Sequence, residues 1–208
     1  MEIESFEPYH IGTKLMPNVD ILLLKKKIKS KLKDYKYKII EDSSSDSILS
    51  QMENLALKNE VSVVLNLLAR ALNTIGDNPD KVIGIFQEVN KLMFELDYEE
   101  KSTVDFYEIV TNVSIKVKTK PIEILNKHSK SLLELTKGIG QLSTTAIRLS
   151  DKTLQDTKEY TEITIEPKPT SPNTYLFVSI VFRSKNIQKI VDFTKNINTN
   201  LQKIIKNL

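Results

Sequence analysis

The hydrophobic residues of this chain change their spacing in the same order twice, and few folds accept such a pattern. Stretches in which apolar side chains recur every three or four residues alternate with stretches in which they recur every second residue. Over residues 1–97 the order reads strand, helix, strand, strand, strand, helix; over 104–208 it reads the same, with 98–103 as a connector. The repeat predicts an α+β protein made by tandem duplication. Each half is expected to form an antiparallel sheet with two helices packed on one face, the halves joining edge to edge as one continuous domain or standing as two.

In the first half, residues 1–15 read as an edge strand or irregular extension, because Pro8 interrupts them. Ile21, Leu24, Ile28 and Leu32 place a helix over 18–34, with Pro17 opening it. Tyr35, Tyr37 and Ile39 then alternate with Lys36, Lys38 and Ile40 as a strand, and the acidic, serine-rich 41–47 is a loop. Segment 48–58 has helical spacing at Leu49, Met52, Leu55 and Ala56, but its place between strands favours an extended reading. Residues 61–69 read as one central strand, and Asn78-Pro79 opens a helix carrying Val82, Ile85, Phe86, Val89, Leu92, Met93 and Leu96.

In the second half, a strand runs over 104–118 and a helix over 121–135, with Ile122, Leu125 and Leu132 inward and Gly138-Ile139-Gly140 at its end. Extended stretches at 141–149, 160–166 and 175–183 follow, then a helix over 186–208. Two echoes accompany the repeat: Pro17 to Leu22 answers Pro121 to Leu125, and Val63 to Arg70 answers Leu176 to Arg183. The order of elements resembles the duplicated half-domains of the TATA-box-binding protein family, which grip the DNA minor groove with an open sheet face. No sequence motif of that family is present, and the strand count per half is one short. The resemblance implies a sheet with one face left uncovered.

Composition narrows the chemistry. An apolar share of 40% excludes wholesale disorder, and zero Cys excludes disulfides, thiolate nucleophiles and sulfur-bound metals. His10 and His128 are the two histidines, and neither has a partner at the spacing that pairs imidazoles on a helix. The glycines at 12, 76, 84, 138 and 140 form no phosphate-cradling pattern, and Glu99-Glu100 lies in a polar stretch that gives no desolvation. No catalytic residue, cofactor or metal is therefore expected. An acidic start without an apolar run, and no stretch long enough to span a bilayer, set the expectation of a cytoplasmic protein without a membrane partner.

Two groups of residues could bind a partner. Lys25, Lys26, Lys27, Lys29, Lys31, Lys33, Lys36 and Lys38 against Asp34 give a local charge of +7, beside Tyr35 and Tyr37. The lysines could neutralise phosphates while the tyrosines stack on bases; alternatively they solvate an amphipathic helix while the tyrosines enter the core. Arg70 and Arg183 are each placed at the end of a half's last strand, where a guanidinium could clamp an anion or pair with a nearby carboxylate. The functional expectation is a non-catalytic interaction module that docks a protein, or a second copy, on the open face or an edge strand. The alternative is nucleic-acid binding through the lysine-rich segment or the same face.

Overall fold

The computed structural model describes residues 2–40, 52–135, 142–151 and 157–207. The first half runs β1 (Glu2–Leu15), α1 (Ile21–Asp34), β2 (Lys38–Ile39), β3 (Met52–Lys58), β4 (Val61–Asn66), β5 (Ala71–Gly76), α2 (Pro79–Phe94) and α3 (Glu100–Thr103). The second runs β6 (Val104–Lys116), α4 (Pro121–His128), α5 (Lys130–Leu135), β7 (Ile147–Ser150), β8 (Tyr160–Pro167), β9 (Tyr175–Ser184), α6 (Ile187–Lys195) and α7 (Ile197–Asn207). All nine described strands form one antiparallel sheet in the order β2-β3-β4-β5-β1-β6-β9-β8-β7.

That order reads as two matching halves about the β1·β6 seam: β5 answers β9, β4 answers β8, and β3 answers β7. β2 has no counterpart among the described residues. The helices lie on one side, α2 against β1, β4 and β5, α6 against β6 and β9, α1 against β2 and β3, and α4 against β8. The α+β plan with helices on one face is thus the observed one. Its core crosses the seam: Phe86 of α2 meets Tyr107 of β6 edge to face at 5.9 Å, and Tyr9 of β1 shares a 3.0 Å hydrogen bond with Thr194 of α6. Thr13 of β1 donates to Asn90 of α2 at 2.8 Å, so these two buried polar groups satisfy each other. No helix among the described residues is long and apolar enough to cross a membrane.

Several local expectations are corrected. Residues 2–15 are not an edge: β1 is the centre of the sheet, hydrogen-bonded to β5 and β6. Pro8 is accommodated because the β1·β6 register shifts between Glu7 and His10, so the residue without an N–H falls in a bulge. Asp20, not Pro17, starts α1, its carboxylate accepting from the amides of Leu22 and Leu23. Tyr35 to Tyr37 are the end of α1 and not a strand. The Tyr37 amide bonds the Leu32 carbonyl and the Lys36 amide that of Lys33, with Lys36 at φ 62, a Schellman closure made with lysine where glycine is usual.

Residues 61–69 do not form one strand but begin a hairpin. β4 ends at Asn66, whose side chain accepts from the Ala69 amide at 2.8 Å, and Arg70 at φ 50 turns the chain into β5. The second half's long helices are each broken in two, at Ser129, whose hydroxyl bonds the Leu125 carbonyl, and at Asn196, whose side-chain amide bonds the Asp192 carbonyl. Leu132, expected inward, is 65% exposed. Residues 52–58 are strand, as the extended reading had it. The expected loop at 41–47, the start of that strand at 48–51 and the helix end at 138–140 lie outside the described residues.

Candidate functional site: the bare sheet face

Strand alternation sends every second side chain away from the helices, and registers link these into one surface. Across the seam it carries His10, Gly12 and Lys14 of β1, Asn73 and Ile75 of β5, and Phe106, Glu108, Val110 and Asn112 of β6. It continues through Phe177, Val181 and Arg183 of β9, Tyr160, Glu162 and Glu166 of β8, and Arg148 of β7. Among the described residues no helix packs on this side.

The second half of the face is an alternation of aromatic and charged groups. Arg183 donates from Nε to Glu108 at 2.5 Å and from NH1 to the Thr157 carbonyl, with its guanidinium over the rings of Phe106 and Tyr160 at 5.3 and 5.7 Å. Glu162 accepts from Arg148 at 2.5 Å and from the Tyr160 hydroxyl, and Arg148 and Tyr160 hold its carboxyl below the usual range. Lys168, after β8, donates to Glu7 at 2.6 Å and to Ser114 at 2.8 Å. Three carboxylates of the face are thus neutralised by three cations. The first half differs: β2 to β5 and residues 9–15 of β1 place Lys14, Lys38, Asn54, Asn66 and Asn73 on this side and no carboxylate.

His10 lies near the middle. Gly12 beside it makes room: an added Cβ would stand 2.4 Å from Asn73 Oδ1, so only hydrogen lets the Asn73 side chain lie there. Burial lowers the His10 pKa from its ordinary 6.5, outweighing the Asn73 hydrogen bond and the Glu108 charge, which both raise it. The sign follows: the unfolded chain binds this proton more readily, so stability is full above about pH 6.5 and falls as acid is added. Urea melts at about pH 7.5 and 5.5 should show a drop in midpoint that is smaller in His10→Gln; an equal drop would remove His10 as its source.

The residues singled out from sequence do not converge. The lysines of α1 lie on the helix side, opposite the bare face, so the two nucleic-acid surfaces considered are separate. Lys25 pairs with Glu53 at 2.5 Å, Lys31 with Glu95 at 3.9 Å, and Lys27 stands 5.5 Å over the Tyr98 ring. Tyr37 is buried, its hydroxyl donating to Glu88 at 3.0 Å, and Tyr35 donates to Glu95 at 3.3 Å; burial raises the Tyr37 pKa and Glu95 that of Tyr35. Tyr37 therefore offers no ring to a base. Lys26, Lys29 and Lys33 line the outer side of α1, and Lys36 is exposed at its end.

Arg70 and Arg183 are not equivalent. Arg70 sits in the β4–β5 hairpin, not at the end of a half's last strand, and its guanidinium donates to the carbonyls of Met16 and Val19. The echo that aligned them matches β4 with β9, whereas the order of the sheet makes β5 the counterpart of β9. Arg183 does face the bare side, with Glu108 as its carboxylate. Phe106, Glu108, Tyr160, Glu162, Phe177 and Val181 were not singled out. For Phe177 and Val181 the signal was that 175–183 carries apolar residues on both faces, which a sheet covered on one side does not require.

No protein-family model matches the chain, and no curated protein matches its sequence. Among solved structures it is similar to one described as Methanococcus jannaschii TBP, at 12% identity, covering 94% of this chain and 99% of that one, with a TM-score of 0.32. At that identity and score the likeness says nothing about function. Among the described residues no cluster of three or more His, Asp or Glu has the arrangement to hold a metal ion.

Proposed function

We propose that this chain is a non-catalytic interaction module that docks a protein, a second copy included, on its bare sheet face. The observation that carries this reading is a half-buried apolar row, Val110 opposite Val181 with Phe106 and Phe177 further along the same two strands in opposite directions, left without a helix over it among the described residues. Protein interfaces combine apolar and aromatic anchors with paired charges around them, and here Glu108, Glu162 and Glu7 are already paired. A polyphosphate asks for unpaired positive charge, which this half of the face does not offer.

The test uses the full chain. Light scattering reads self-association, and a photo-crosslinking side chain at Phe177, compared with one at exposed Lys195 on the helix side, reads a separate partner. Docking on the face predicts a concentration-dependent mass, or a discrete adduct from Phe177 alone, and loss of either in Val181→Asp with thermal melting preserved. A monomer without a face-specific adduct would end the proposal.

A second reading rests on the first half of the face, where Lys14 and Lys38 stand among the amides of Asn54, Asn66 and Asn73. Nucleic-acid binding there predicts retention on DNA cellulose that weakens steeply with salt and falls in a Lys14→Gln, Lys38→Gln double variant. Retention lost instead on changing Lys25, Lys26, Lys27 and Lys29 to Gln would move binding to α1.

A further inference from the structure

The outer side of α1 holds a second surface, independent of the sheet face. Leu24, Ile28 and Leu32 turn into the core, while Leu22, Lys25, Lys26, Lys29 and Lys33 fall three or four residues apart on another side of the helix. These side chains and Ile39 of β2 line a groove of about 640 Å³. Leu22 is 59% exposed there and gives the groove an aliphatic surface beside its cations. Lys25 is engaged by Glu53, whereas Lys26 and Lys33 make no ion pair among the described residues. β2 is the end of the sheet, so no strand among the described residues closes that side.

We propose that this groove docks an acidic amphipathic helix of a partner protein. Lys26 and Lys33 are two helical turns apart on one side, about 10 Å, which is the rise between residues i and i+7 of a second helix lying alongside. Carboxylates at those two positions meet the lysines, leucines between them face the groove beside Ile39, and a further leucine one turn beyond the end that meets Lys26 covers Leu22. The same lysines attract nucleic acid, but the groove lacks what a base would use: Tyr37 is buried on Glu88, the Tyr35 hydroxyl is held by Glu95, and Leu22 supplies no hydrogen bond. Glu53 beside Lys25 also sets a carboxylate where a phosphate chain would pass.

The probe is a fluorescein-labelled synthetic helix of about four turns with Glu at i and i+7 around a leucine core, read by anisotropy against the full chain. A scrambled peptide and a labelled single-stranded oligonucleotide serve as comparisons. The expected result is saturable binding of the patterned peptide, weakened about ten-fold or more by Lys26→Glu with Lys33→Glu and by Leu22→Asp, and unaffected by Val181→Asp. Because the lysines and Leu22 are exposed, these variants should keep the parent melting temperature. A peptide with Lys at i and i+7 should regain binding to the Lys26→Glu, Lys33→Glu chain, which loss of folding cannot imitate. Equal binding of the scrambled peptide, no binding, or tighter binding of the oligonucleotide would overturn the proposal. So would binding that appears only after Glu41→Gln, Asp42→Asn and Asp46→Asn, which would assign the groove to the chain's own acidic segment.

Discussion

Phe86→Ala should lower folding stability by about 3–5 kcal/mol, the usual cost of emptying a buried aromatic site. Phe86 is 1% exposed on α2, and its ring meets Tyr107 of β6 edge to face at 5.9 Å. It belongs to the first half of the chain and packs on the second, so the void would open at the seam. Tyr107 is held on its other side by its hydroxyl bond to Glu100 at 2.5 Å and cannot collapse inward freely. Urea denaturation followed by far-ultraviolet circular dichroism measures the loss. A change below about 1 kcal/mol would mean that this site collapses without cost, against the expectation for a shared core. Phe193, half-buried and stacked on Phe182 at 4.5 Å on α6, should cost less on the same substitution, because less of it leaves water on folding.

Arg70→Ala should cost about 2–3 kcal/mol, with Arg70→Gly milder by about 1 kcal/mol. Two effects separate in this pair. Both variants lose the guanidinium bonds to the carbonyls of Met16 and Val19, which tie the turn after β1 to the β4–β5 hairpin. Only alanine keeps a Cβ at φ 50, where glycine is relaxed. Arg70→Lys should restore only part of the loss, since one terminal nitrogen of Arg70 meets both carbonyls and the lysine ammonium, although it has donors enough for two, ends a bond short of that position. If Arg70 instead clamped an anion, all three variants would melt like the parent in anion-free buffer and lose only the stabilisation conferred by added sulfate. Equilibrium melts with and without sulfate decide between these outcomes.

The repeat of periods made the α+β plan legible, because amphipathic helices and alternating strands each declare themselves over many residues. Asn78-Pro79 marked the start of α2 for the same reason that it works as one: Asn78 accepts from the amides of Asp80 and Lys81. What failed was punctuation without the usual residues. The β4–β5 turn is made by Arg70, and the end of α1 by Lys36, both at positive φ in places where glycine would have been conspicuous. Missing β5 shifted the comparison of the halves by one strand and made Arg70 and Arg183 look equivalent.

The candidate face was less legible still. Which of two apolar sides of a strand is covered depends on where the helices land, and that is decided by contacts distant in the chain. Phe177 and Val181 are no less hydrophobic than Val178 and Ile180; only register and packing separate them. The lysine-rich segment stood out because charge is visible in sequence, whereas Leu22, which gives its groove an apolar floor, looked like one more leucine in a helix.

The central position of β1 also bears on how the protein is made. β1 is synthesised before both of its neighbours, yet the amides and carbonyls along it are satisfied only when β5 and then β6 have been added. At translation rates of about 5–20 residues per second, it waits roughly five to twenty seconds for β6. During that interval the nascent chain carries a strand with at least one open edge, bearing Ile3, Phe6, Tyr9 and Ile11, that chaperones or a neighbouring polysome's product can capture.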